Sequence, residues 1–287
     1  MSLSILTNVS AMQTQQNLLN SSNAVSMSMQ RLSSGLRINT AADDAAGYAI
    51  SENLTSQVNG LDQASRNTND AVSMVQTASG SLSTIQSMLQ RVRELAVQYN
   101  NGSNTNTNDQ TAIQDEVDQL TNEISREAGA SNFNGINLLN GSAGSGGTVT
   151  FQVGANDGDT MTASFAGVTA AIATAATGFN WANAGVTGSH VVNLSTAGSL
   201  SQIDAAITAV STQAATLGAV QNRLQYTSDS ISTTQQNLSA SNSQIKDVNM
   251  AQEMTNLTQQ QILEQAGTAM LAQAQQQPQL VLKLLQG

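Results

Sequence analysis

The sequence predicts a mainly α-helical protein. Long antiparallel coiled-coil helices come from both chain ends, and a small β-hairpin region lies in the middle. Three observations carry that prediction. Apolar residues recur at three- and four-residue spacings over both ends of the 287-residue chain. Pro278 is the one proline, so long helices meet almost no breaker. Residues 141–198 abandon the pattern for glycine, serine, threonine and alanine, with a period-two run inside.

The first 40 residues carry two overlapping stripes. One is Ile5, Val9, Met12, Gln16 and Leu19; the other is Leu18, Val25, Met29, Leu32 and Leu36. Such spacing puts each stripe on one helix face. The first charge in the chain is Arg31, so little solvates the remaining surface and this helix needs a partner. Asp43-Asp44 then open a second helix, where acids complement the N-terminal dipole. From Ala45 to about Gln98 the stripe runs through Ile50, Leu54, Leu61, Thr68, Val72, Val75, Leu82, Leu89, Val92 and Ala96. That is roughly 80 Å of helix at about 1.5 Å per residue. Asn100-Asn101-Gly102 stops it, with Gly102 as a left-handed end.

A third helix is expected near Asp109–Ala128, with Ile113, Val117, Leu120 and Ile124 facing inward. Asn134-Gly135 and Asn140-Gly141 are turn signals. Thr148–Val153 alternates as a strand, and Asp157-Gly158 turns the chain back through Thr160–Val168. Ser201-Gln-Ile-Asp204 fits a capping box with Asp where Glu or Gln is usual. A strict heptad follows: Leu217, Val220, Leu224, Thr227, Ile231, Thr234, Leu238, Ser241, Ile245 and Val248. Beyond it Met250, Met254, Leu257, Ile262, Leu263, Met270 and Leu271 shift register, and the chain closes on Leu280-Val281-Leu282 and Leu284-Leu285. The two ends mirror each other and are expected to pair.

Composition excludes most chemistry. Cysteine is absent, and His190 is the one histidine, a plain surface residue by its Ser/Gly/Val surroundings. Thiolate nucleophiles, His-based triads and HExxH zinc sites therefore drop out, and no cofactor is expected. The net charge is -10 with nine basic residues that do not cluster, so counterion release cannot drive nucleic-acid binding. No run of about 18 apolar residues predicts membrane insertion, and no basic region precedes an apolar start as in a cleaved signal. Asn156-Asp157-Gly158-Asp159 lacks the distal bidentate acid of a calcium loop and reads as a turn.

Several stretches together resemble one family, bacterial flagellin. They are Gln30-Arg-Leu-Ser-Ser-Gly-Leu-Arg-Ile-Asn39, Ala41-Ala-Asp-Asp-Ala-Ala-Gly47, Gln63-Ala-Ser-Arg-Asn67 and Gln90-Arg-Val-Arg-Glu-Leu-Ala-Val-Gln98. Phe133-Asn-Gly135, Phe151-Gln-Val-Gly-Ala-Asn156, Gly218-Ala-Val-Gln-Asn-Arg-Leu224 and Pro278-Gln279 complete the set. The resemblance implies a subunit of the flagellar filament that serves swimming motility. It also implies export unfolded through the flagellar secretion apparatus, without a cleaved signal, and ordering on assembly. A terminal helical core domain is expected from residues 1–44 and 247–287, and a helical bundle with β-hairpins from 45–168 and 199–246. Residues 169–198 would be a short variable surface insertion.

The filament core would be packed by Ile5, Val9, Met12, Leu19, Met254, Leu257, Met270, Leu284 and Leu285. The family match further implies that Arg91, Leu95, Gln98 and Glu116 are the positions engaged by the Toll-like flagellin receptor of animal hosts and by neighbouring subunits. Read without the resemblance, Arg91, Arg93 and Glu94 are solvated helix-face charges, and the terminal stripes are buried bundle faces. Expected partners are copies of the same chain in a helical filament, an export chaperone, and cap and junction proteins. Two alternative functions stand beside the filament subunit: a hook–filament junction protein and a coiled-coil surface adhesin.

Overall fold

The computed structural model describes residues 8–102, 106–165, 167 and 192–286, with side chains as far as 276. The elements in order are α1 (Val9–Ser34), α2 (Ala45–Tyr99), α3 (Thr107–Ala130), β1 (Asn132–Phe133), β2 (Ile136–Asn137), β3 (Thr148–Gln152), β4 (Thr160–Ser164), α4 (Ser199–Lys246) and α5 (Met250–Gln286). The mainly helical class with a small antiparallel hairpin region is what the sequence predicts. Most of the expected insertion at 169–198 lies outside the described residues.

Two compact units divide the chain: residues 1–56 with 237–287, and residues 57–236. The sequence expectation divided it at 44/45 and 246/247 instead. The first unit extends further because the start of α2 is tied to the end of α4. Lys246 Nζ donates to Glu52 Oε1 at 3.1 Å, and Asn242 Nδ2 donates to Thr55 Oγ1 at 3.1 Å.

In the first unit α1 and α5 pack antiparallel. Asn8 caps α1, its Oδ1 accepting from the Ala11 N–H at 3.0 Å, while its Nδ2 donates to the Ala274 carbonyl at 2.8 Å. A half-buried row on α1, Ala11, Thr14, Leu18, Ser21, Val25 and Leu32, forms the seam. Leu18 lies over Gly267, where an added Cβ would meet Leu18 Cδ1 at 3.4 Å. Helix α1 ends on Gly35 in the left-handed region, φ 72°, with its N–H on the Arg31 carbonyl at 2.8 Å. The break after α1 is bonded to the break after α4: the Arg37 N–H donates to the Lys246 carbonyl at 2.7 Å and the Val248 N–H to the Gly35 carbonyl at 3.0 Å.

The acids before α2 act as caps. Asp44 Oδ1 accepts from the Gly47 N–H at 2.9 Å, and Asp43 Oδ2 accepts from the N–H groups of Asn39 and Thr40 at 3.1 and 2.9 Å. Gly47 leaves room for these side chains: a Cβ there would lie 2.3 Å from Asp44 Oδ2 and 2.7 Å from Ile38 Cδ1, so both would have to shift. The Ala41–Gly47 motif is thus a cap seated on a glycine. Ile50, grouped with the inward stripe by its spacing, is instead exposed.

The second unit holds the apolar core. Ala71, Val75, Leu82, Leu89 and Val92 of α2 meet Val117, Ile124 and Ala128 of α3 and Ile203, Val210, Leu217 and Leu224 of α4. The β3–β4 hairpin sits on α2 and α4 through side-chain amides. Asn67 Nδ2 donates to the Gln152 carbonyl at 3.1 Å, and Gln213 Nε2 to the Ser164 carbonyl at 2.8 Å. Strands β3 and β4 pair antiparallel, Thr150 opposite Thr162. Between β1 and β2, Asn134 and Gly135 both take positive φ, 50° and 80°, as a two-residue hairpin turn demands.

Helix α4 starts two residues before the expected capping box. Ser201 Oγ does not cap from outside; it lies within the first turn and donates to the Gly198 carbonyl at 2.9 Å. By length and composition alone α4 could cross a membrane, which a search for unbroken apolar runs does not reveal. Its apolar positions face the core of the second unit.

Candidate functional site

Two surfaces carry the functional expectations, one in each unit. In the first unit the two stripes of α1 have different fates. Leu18, Val25 and Leu32 of the second stripe join the seam with α5, whereas Val9, Met12 and Leu19 of the first, and Met29 of the second, are exposed. A helix with apolar residues on two faces can bury only one against a single partner helix. The same division holds on α5: Leu257 is half-buried, and Met254, Ile262, Leu263 and Met270 are exposed. Ile5, Leu284 and Leu285 lie outside the described residues and side chains.

Burial separates the units sharply. Among the described residues of the first unit, Ile38 is the one fully buried apolar side chain. Val9, Met12, Leu19, Met27 and Met29 of α1 and Met250, Met254, Ile262, Leu263 and Met270 of α5 remain open to solvent. Monomeric proteins rarely leave so many large apolar side chains uncovered on two helices. Sequence reasoning had placed Ile262 and Leu263 on α5 without assigning them to the surface. Their offset from the half-buried Leu257, Gly267 and Leu271 row is the signal that does so.

In the second unit Arg91 and Glu116 come together across α2 and α3. Arg91 donates through Nε and Nη2 to Glu116 Oε1 at 3.0 and 2.9 Å, and through Nη1 to Glu94 Oε2 at 3.2 Å. The Glu116 carboxylate, and then Glu94, hold the Arg91 guanidinium above its ordinary value. A similar pair, unforeseen in the sequence, joins Arg93 Nε to Asp204 Oδ1 at 2.6 Å, tying α2 to α4. Gln98 shares the exposed side with Arg91, seven residues apart on α2, close to two full turns.

Leu95 does not belong to that surface. It is 2% exposed and part of the core cluster. Four residues turn a helix by about 40° beyond a full circle, which here carries Leu95 from the rim into the seam. It supports the surface from beneath.

Gln114 was missed because an amide on a helix has no sequence signature of burial. It is 8% exposed. Its Nε2 donates to Asp118 Oδ1 at 2.9 Å and to the Val192 carbonyl at 2.6 Å, and its Oε1 accepts from the Leu194 N–H at 3.0 Å. It seats the segment leading into α4 on α3. No group of three or more acids, histidines or cysteines able to hold a metal occurs among the described residues.

Comparison with known proteins gives this geometry its context. The family model for the bacterial flagellin N-terminal helical region matches residues 5–144, and that for the C-terminal helical region matches residues 200–285. The chain is 44% identical to a flagellin of Halalkalibacterium halodurans, over 97% of this chain and 98% of that one. With the same coverage it is 41% identical to a flagellin of Bacillus subtilis and 43% to the flagellar filament 33 kDa core protein of Treponema phagedenis. Two helical regions matched at opposite ends, and identity of this level over nearly the whole length, show that the chain belongs to the bacterial flagellins.

Proposed function

We propose that the uncovered stripes of α1 and α5 are the surfaces through which copies of this flagellin pack. As a member of its family the chain is a structural subunit of the flagellar filament, and motility follows from the flagellum. The junction-protein and adhesin alternatives are not favoured, because both terminal regions and the full-length relatives are those of flagellins.

The observation that supports the packing surface is the contrast in burial. The first unit, with Ile38 as its one buried apolar side chain among the described residues, leaves apolar rows for neighbouring subunits to cover. A subunit that adds head-to-tail through a rotation that does not close builds an open helical fibre. Burial on docking supplies the driving force the isolated terminal helices lack. The chain would pass unfolded through the flagellar export apparatus, held by an export chaperone, and its core-poor terminal helices would become ordered on assembly with cap and junction proteins at hand. Arg91, Gln98 and Glu116 present a polar patch suited to the Toll-like flagellin receptor of an animal host and to a neighbouring subunit.

Deletion of residues 1–30 tests the packing reading by electron microscopy. The full chain is expected to form filaments as its concentration rises and the truncated chain none. Filaments from the truncated chain would sink the proposal.

A further inference from the structure

Methionine is distributed unevenly over the molecule. Six of the ten methionines, Met12, Met27 and Met29 on α1 and Met250, Met254 and Met270 on α5, lie in the first unit at 47–65% exposure. In the second unit Met74 and Met161 are 2% and 7% exposed, and Met88 is half-buried. Aromatics are only 3% of the chain, so these thioethers are a large part of the uncovered apolar surface. Unbranched and polarizable, they adapt to irregular neighbours. They also bring a liability that leucine lacks, because an accessible thioether is open to two-electron oxidation.

From this segregation we propose that the six exposed methionines of α1 and α5 are a reversible oxidation site that bars the unassembled subunit from the filament. The proposal rests on the reading of these helices as the packing surface. The oxidant is a hydroperoxide. The sulfur lone pair attacks one peroxide oxygen, the O–O bond breaks and an S–O bond forms. Methionine becomes methionine sulfoxide while hydrogen peroxide is reduced to water. The product is a polar, chiral side chain, and burying its unpaired oxygen against an apolar neighbour is unfavourable. In an assembled filament the same sulfurs are covered, so oxidation acts on the free pool and spares polymer already built. The two stereospecific methionine sulfoxide reductases, with a dithiol reductant, reverse the change.

The test uses the full chain and hydrogen peroxide. Untreated protein is first taken through its polymerisation range; if it forms no filament, the packing reading itself fails and oxidation is not the cause. Peptide mass mapping of peroxide-treated monomer should then show the six sites oxidised at least ~10-fold faster than Met74 and Met161, following exposure. In preformed filament the six should slow to the rate of the buried pair. Oxidised monomer should need at least ~10-fold more protein to polymerise, as expected for polar groups placed in an apolar contact, and reductase treatment should restore the untreated value. Equal rates at all sites, or an unchanged polymerisation threshold after full oxidation of the six, overturns the proposal. A variant with Met→Leu at the six positions should polymerise indifferently to peroxide, and peroxide inhibition of that variant also overturns it. The wild-type measurements decide independently of how the variant folds.

Discussion

Gln114 and Asp43 show how single polar side chains fix the backbone of irregular segments through hydrogen bonds to it. Gln114 makes three hydrogen bonds from a nearly buried position. Replacing it with Leu strands the Val192 carbonyl and the Leu194 N–H, and an unsatisfied buried group costs about 1–3 kcal/mol. Urea unfolding of Gln114→Leu should show a loss in that range, and a loss under about 0.5 kcal/mol would mean water replaces the amide. Asp43 acts through charge. The Thr40 N–H, then that of Asn39, hold its carboxyl below the ordinary 3.8. A carboxyl lowered in the folded state stabilises that state above the unfolded value, and loses the contribution as pH falls through the folded one. The loop before α2 should therefore stay intact down to about pH 3.8 and loosen below it. Amide shifts of Asn39 and Thr40 followed by NMR should be flat above that value and move below it. Asp43→Asn should remove the transition.

At the scale of the helix, one pattern serves two purposes that only substitution separates. Leu89 of α2 is fully buried and Leu19 of α1 is half exposed, although both sit in apolar stripes of similar spacing. Leu89→Ala should destabilise the monomer by about 2–5 kcal/mol through lost burial and a cavity. Leu19→Ala should cost the monomer under about 0.5 kcal/mol yet raise the concentration needed for polymerisation. Thermal unfolding of monomer and sedimentation of polymer, run on both variants, separate the two effects. A Leu19→Ala variant that polymerises at the wild-type threshold would remove that position from the packing surface. The α2 helix itself, 55 residues long, is long because no proline interrupts it and its seam is covered along the second unit by α3 and α4.

At the scale of the whole molecule, the second unit is closed by a core while the first, among the described residues, leaves its apolar rows open. Recognition by another protein belongs to this scale too. Arg91 and Glu116 are exposed and ion-paired, so water screens their attraction and the pair contributes little to the fold. Replacing both with Ala should leave the monomer folded. At an interface, loss of a hot-spot arginine costs about 2 kcal/mol or more, roughly a thirtyfold drop in affinity. Dose–response of receptor signalling to monomeric wild type and the double variant decides the matter, and equal half-maximal doses would refute receptor contact. Leu95→Ala belongs to a different class. Its deficit should appear in unfolding, because its side chain is in the core.

Local chemistry made much of the architecture legible in the sequence. The long α2 follows from an unbroken apolar period, the Asn134-Gly135 hairpin from two residues that tolerate positive φ, and the acid caps before α2 from Asp43-Asp44 set beside a glycine. Each of these is decided by neighbours within a turn or two. Within the motif stretches, Gln152 and Gly47 meet demands set nearby, Gln152 Nε2 bonding the Gly154 and Asn156 carbonyls and Gly47 lying against Asp44, whereas Asn67 reaches the Gln152 carbonyl far along the chain. Which stripe of α1 is used, where α4 begins, that Ile50 faces out and Leu95 in, and that Gln114 clamps residues 192–194 were decided only by the tertiary structure. A helical period states that a face is apolar and is silent on what covers it. A neighbour distant in the chain settles that, and on the outer stripes of α1 and α5 no part of the described chain fills the place.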